Sequence, residues 1–78
     1  MAELLAYLAR ELVDEPDAVR VETEERDDAL LLTLHVAPGD VGKVIGRQGR
    51  IARALRTLIR ASAVREPRRV FVEIADPE

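Results

Sequence analysis

Apolar residues keep changing their spacing along this chain, and each spacing predicts an element. Leu4, Leu5, Leu8 and Leu12 fall at i, i+1, i+4 and i+8, one stripe of a helix over residues 3–14. Pro16 disfavours helical geometry at Glu15 and sets its end. Val19, Val21 and Thr23 then alternate with Arg20, Glu22 and Glu24, the pattern of a strand with one wet face. Glu25-Arg26-Asp27-Asp28 is short and polar, as a hairpin turn requires. The nearly continuous apolar run from Ala29 to Val36 predicts a central strand, with Leu30, Leu32, Leu34 and Val36 on its better buried face. Pro38-Gly39 closes that strand, and Asp40 is placed to cap a short helix over residues 41–45. Beyond Gly46-Arg47-Gln48-Gly49, a second helix over residues 50–63 spaces Ile51, Leu55, Leu58, Ile59 and Ser62 along one face. Pro67 bars further helix, and Val70, Val72 and Ile74 alternate with Phe71, Glu73 and Ala75 as a third strand. The order is αββααβ. Two helices between the second and third strands leave room for a parallel crossover. The expected fold is therefore α+β, a three-stranded mixed sheet with three helices on one face, in a single domain spanning 1–78.

Composition removes several function classes. With 78 residues and 47% hydrophobic side chains the chain can build one small core. The absence of Cys excludes a disulfide scaffold and any Cys-ligated metal site, and suits a reducing cytoplasm. No apolar run approaches the ~20 residues of a membrane span. Met1 to Leu5 carry an acid and no basic segment, so no secretory signal is expected. A net charge of -3 would by itself argue against a nucleic-acid partner. Its distribution argues the other way. Residues 1–42 hold three basic and eleven acidic side chains, while residues 43–69 hold nine basic ones against Glu66 alone. The last nine residues add Glu73, Asp76 and Glu78.

The basic segment is also ordered. On the long helix Arg50, Arg53, Arg56 and Arg60 gather roughly opposite the apolar face, with no acid between positions 50 and 65. Like charges at i+3 and i+4 cost a few tenths of a kcal/mol each, a strain that a polyanion would offset. Ahead of them, two glycines three apart let the backbone take conformations closed to other residues. The helix that follows points its N-terminal N–H groups over this loop, which favours phosphate. An ordinary helix-helix turn remains the plainer alternative for the glycine pair taken alone.

The run Val44-Ile45-Gly46-Arg47-Gln48-Gly49-Arg50, on a helix-loop-helix inside αββααβ, resembles the bacterial (type II) KH domain, whose GXXG loop clamps about four nucleotides. The match covers nearly the whole chain and is strongest from Pro38 to Ala52; it resembles the small stand-alone KhpA family. That resemblance implies a cytoplasmic protein that binds single-stranded RNA as an RNA chaperone or post-transcriptional regulator. It further implies self-association as a homodimer, pairing with a KhpB-like KH protein, and an influence on cell shape and cell wall biogenesis. Ala52 departs from the bulky aliphatic that many KH domains carry there, with Ile51 and Leu55 expected to supply the packing.

By the resemblance, Gly46, Arg47, Gln48 and Gly49 contact the RNA backbone and Ile45 lines a base groove. From the residues themselves, Lys43, Arg50 and Arg53 lie within about a turn of the loop and are expected phosphate contacts. Arg56 and Arg60 farther along the helix are candidate further contacts to RNA or a protein partner; Arg68 and Arg69, with Arg65 on the following loop, could reach an RNA lying across the groove, with solvated charge as the plainer alternative. The competing reading is a KH-like dimerising adaptor whose partner carries the RNA contacts. A bare sheet face with Leu31, His35 and Phe71 would be its surface, with Tyr7 at the core edge or at an interface. No catalytic group, cofactor, metal or small-molecule substrate is expected. Gly39-Asp40-Val41-Gly42-Lys43 lacks the spacing and Ser/Thr of a P-loop, His35 has no second His or Cys, and Ser62 is expected to face the core.

Overall fold

The continuous apolar run forms β2 (Ala29–His35), the middle strand of a three-stranded sheet with β1 (Arg20–Arg26) and β3 (Arg69–Ile74) on either side. The computed structural model describes residues 1–75; Asp76 and Glu78, counted in the charge above, and the end of the 1–78 span lie outside the described residues. β1 runs antiparallel to β2, from Arg20 opposite His35 to Arg26 opposite Ala29. Only Asp27 and Asp28 connect them, and Asp27 takes φ 49°, a left-handed conformation that Asp tolerates. β3 runs parallel to β2 in a register that puts Leu30 beside Val70 and Leu32 beside Val72. These four residues and Leu34 are buried.

Three helices cover that face: α1 (Ala2–Arg10), α2 (Val41–Ile45) and α3 (Arg50–Ser62). They bury Leu5, Ala6 and Ala9 from α1, Val44 from α2, and Ala52, Leu55 and Ile59 from α3. Each fully buried Leu, Ile or Val contributes about 1.5–3 kcal/mol, and Leu5, Leu32, Leu34, Val44 and Ile59 are the largest of them. Short 3-10 turns at Pro16–Ala18 and Pro38–Asp40, absent from the sequence-based expectation, join the elements. No described helix is long and apolar enough to cross a membrane.

Several expectations need correcting. α1 ends at Arg10, before the predicted residue 14: Glu11 and Leu12 still donate to its last carbonyls, but the chain does not continue as helix beyond them. Asp14 and Glu15 donate to the Asp40 carboxylate at 3.2 and 3.0 Å. Asp40 is consequently not the side-chain cap of α2; it is buried and latches the segment after α1 onto the start of α2. On α3 the apolar centre is rotated from the predicted face. Ala52 occupies the middle, whereas Leu58 is half exposed and Ser62 is exposed, its hydroxyl donating to the Ile59 carbonyl. Leu4 and Leu12 from the predicted α1 stripe are likewise exposed.

Candidate nucleic-acid interface

The two loop glycines are required for different reasons. Gly46 closes α2 by donating to the Gly42 carbonyl at 2.9 Å and takes φ 76° with ψ 175°. That combination is essentially open to glycine alone. A Cβ there would also lie 2.7 Å from Cγ1 of Ile51, so the loop is folded tightly over the first turn of α3. Arg47–Gly49 then make a 3-10 turn in which Gln48 is left-handed at φ 58°. Gly49 is left-handed as well, at φ 74°, but a Cβ on it would meet only open space. Gly49 therefore keeps the outer surface of the loop bare, where another backbone can approach.

α3 starts immediately afterwards with no side-chain cap and no acid in its first turn. The Gly49 and Arg50 N–H groups donate to the Gly46 and Arg47 carbonyls of the loop, while the N–H groups that follow in the first turn have no partner within the helix and carry the positive end of the helix dipole. Arg47, Gln48, Arg50 and Arg53 are exposed around this point, and the three arginines form no ion pair among the described residues. Ile45 is half-buried just before the loop, with Val44 beneath it in the core. Backbone donors, a helix terminus and three guanidinium groups that pair with no carboxylate among the described residues thus lie around one loop, an arrangement suited to a phosphodiester strand.

The other predicted cations divide. Lys43 is held by Asp14 at 3.2 Å and Asp40 at 3.5 Å. The hydrogen bond to Asp14 and its charge raise the Lys43 pKa against the effect of burial. Burial pushes the Asp40 carboxyl upward, but the N–H groups of Asp14 and Glu15 and the Lys43 ammonium outweigh it and hold Asp40 below the usual range. Arg56 leaves the solvated stripe: it is half-buried, and its Nε donates to the Val72 carbonyl at 3.0 Å. Arg68 binds Glu66 at 2.6 Å and Glu25 at 3.0 Å, tying the loop before β3 to the β1–β2 hairpin. Those two carboxylates raise the Arg68 pKa, and the Arg68 hydrogen bond lowers that of Glu66. Arg60 and Arg65 are exposed, and Arg69 is the first residue of β3 rather than a loop residue.

Two features escaped the sequence reading. One is the Asp40 latch, whose partners lie about 25 residues away and leave no local trace. The other is an apolar groove of about 390 Å³ between α1 and α3, where Leu8 and Leu12 face Ile51, Ala54 and Leu58. Its signal is present in the spacing, since Ile51, Ala54 and Leu58 share a flank of α3 distinct from that of Ala52 and Ile59. Tyr7 is exposed, which removes the core-edge alternative and leaves the interface one. Phe71 lies beside Leu31 on the sheet face away from the helices, as expected, and His35 on that face bonds Glu22. Hydrogen bonding to His35, then the charge of Arg20, lowers the Glu22 pKa. Among the described residues no group of three or more acidic or His side chains could hold a metal.

Residues 2–74 match the family described as KhpA/KhpB, KH domain. The chain is 54% identical over 74 residues to the RNA-binding protein KhpA of Clostridium acetobutylicum, covering 95% of this chain and 99% of that one. It is 54% identical to the RNA-binding protein KhpA of Treponema pallidum, over 95% of this chain and 92% of that one. The RNA-binding protein KhpA of Bacillus subtilis is 43% identical over 97% of this chain and 94% of its own length. No solved structure matches the chain.

Proposed function

This chain belongs to the KhpA/KhpB KH-domain family, and on that premise we propose that it binds single-stranded RNA through the Gly46–Gly49 loop and the adjoining face of α3. One observation carries the proposal: a helix N-terminus without a side-chain cap and three exposed arginines without acid partners among the described residues meet at a loop whose outer surface is kept bare by Gly49. In this reading the loop and first-turn N–H groups hold the sugar-phosphate backbone, and Arg47, Arg50 and Arg53 neutralise successive phosphates. Gln48 donates to sugar or phosphate oxygen, and Ile45 offers an apolar wall to a base. Lys43 positions α2 through Asp14 and Asp40 instead of serving as a principal phosphate contact. The acidic residues 1–42 steer the strand toward this surface.

The test is binding to a single-stranded RNA across a salt series. Affinity should fall steeply with salt, and Arg47→Ala should reduce the slope by about one. Unchanged binding by a folded Arg47→Asp/Gln48→Asp variant would remove the loop from the function.

A second reading is supported by the groove between α1 and α3, where Leu8, Leu12, Ile51, Ala54, Leu55 and Leu58 form a largely apolar lining that Glu11 and Arg50 join. We propose that it takes a second KH unit, either another copy or a KhpB-like protein, so that two modest RNA sites act together. The cellular role proposed on this basis is RNA chaperoning or post-transcriptional regulation in the cytoplasm, with cell shape and envelope growth as its outcome. Molar mass in solution tests the pairing: Leu58→Glu should shift a dimer to a monomer.

A further inference from the structure

Between the end of α3 and the start of β3 lies an open cleft of about 380 Å³ lined by Arg60, Ala63, Arg68, Arg69, Val70 and Phe71. Its cations are of two kinds. Arg68 is committed to Glu66 and Glu25, whereas Arg60 and Arg69 make no ion pair among the described residues. Phe71 is 40% exposed, and the Arg69 guanidinium sits 5.9 Å from its ring centroid. An exposed aromatic ring with one guanidinium over it, in a cleft that a second unpaired guanidinium lines from the α3 side, fits a ligand that is flat and apolar in one part and anionic in the next. A nucleotide within a strand has that combination, and stacking on an aromatic side chain is sequence-tolerant because every base has a π-face.

The cleft also lies within reach of the loop. Arg50 and Arg60 are ten residues apart on one helix, about 15 Å at 1.5 Å per residue. A stacked strand advances about 3.4 Å per nucleotide, so four nucleotides held at the loop cover about 14 Å. Arg53 and Arg60 project from the same flank of α3 and link the two ends. We propose that this cleft is a second nucleic-acid subsite, in which Phe71 stacks a nucleobase about four to five nucleotides from the loop while Arg60 and Arg69 bind the neighbouring phosphates. The subsite rests on RNA binding at the Gly46–Gly49 loop and extends its footprint around the edge of β3. Arg68 belongs to its wall and takes no phosphate.

The experiment compares binding of oligoadenylate RNAs of four and eight nucleotides to the full chain by fluorescence anisotropy. The variants are Phe71→Leu, Phe71→Trp and Arg47→Asp/Gln48→Asp. The native chain should bind the octamer more tightly than the tetramer. Phe71→Leu keeps apolar bulk but has no ring face; it should lose about tenfold on the octamer, the scale of one stacked base, and nothing on the tetramer. Phe71→Trp should keep octamer affinity, and its indole, the only one in the chain, should be quenched by the octamer and not by the tetramer. Equal octamer affinity for Phe71→Leu and the native chain overturns the subsite, as does an unquenched indole in a bound complex. If the loop variant still abolishes both oligomers, loop binding then stands without it. Failure of the native chain to bind either oligomer overturns both.

Discussion

Replacing each loop glycine by alanine separates packing from conformation. At Gly46 the new Cβ would lie 2.7 Å from Ile51 Cγ1 and 3.0 Å from Ile51 Cβ, and the backbone sits at φ 76°. The backbone strain is about 1–3 kcal/mol and the overpacking about 1–3 kcal/mol, so Gly46→Ala should cost about 4 kcal/mol. At Gly49 the same substitution meets open space and bears only the left-handed backbone, about 1 kcal/mol. The gain from a less flexible unfolded chain applies to both and cancels in the comparison. A chain of 78 residues has a total stability of roughly 4–12 kcal/mol at 0.05–0.15 kcal/mol per residue. Gly49→Ala should thus melt about 4–8 °C below the native chain, and Gly46→Ala well over 10 °C below it. Thermal unfolding followed by circular dichroism measures both. Adding Ile51→Ala to Gly46→Ala removes Cγ1 and should recover about 1 kcal/mol or more relative to additivity. Equal melting temperatures for the two glycine variants, or strict additivity with Ile51→Ala, would refute the assignment of Gly46 to packing against α3.

Other substitutions probe the latch and the charges. The depressed Asp40 pKa means the latch contributes fully above the ordinary Asp value of about 4 and is lost as pH falls through the folded value. Asp40→Asn should therefore lower the melting temperature at pH 7, more than Asp17→Asn does, and flatten the native chain's loss of stability below about pH 4 in a thermal-melt series. Glu66→Gln should act in the same direction, since its pKa is also depressed, and a melt at pH 7 against one at pH 3 reads the difference. Lys43→Met should lower stability while leaving the salt dependence of RNA binding close to native; Arg53→Met should do the reverse, as parallel melts and salt titrations would show.

The sheet was legible because its physics is local to each strand. Leu30, Leu32 and Leu34 are buried as the uninterrupted run of β2 implies, and the central position follows from apolar residues on both faces. The loop's backbone was legible because two glycines three apart at a helix junction point to conformations closed to other residues, and both have positive φ. Asp40 was misread because capping preference weighs only neighbours in sequence, whereas its carboxylate is claimed by N–H groups 25 and 26 residues away. Leu58 was misread because a face drawn through large side chains passes over Ala52, which at 5% exposure lies closer to the centre of the buried face. Lys43 and Arg68 looked like part of one basic surface, and only tertiary structure brings Asp14, Asp40, Glu25 and Glu66 to them.

The bond from Arg56 to the Val72 carbonyl bears on how this small domain avoids polymerising. β3 pairs with β2 on one side only, so its outer edge offers backbone groups to any passing strand. Arg56 occupies a carbonyl midway along that edge and leaves a guanidinium charge beside it, so a foreign strand cannot complete the ladder without displacing it. The opposite edge, β1, carries Arg20, Glu22, Glu24, Glu25 and Arg26, a row of charges unsuited to stacking in register. With both borders guarded, contacts between copies are directed to side-chain surfaces, and crowded molecules are kept from growing into continuous sheets.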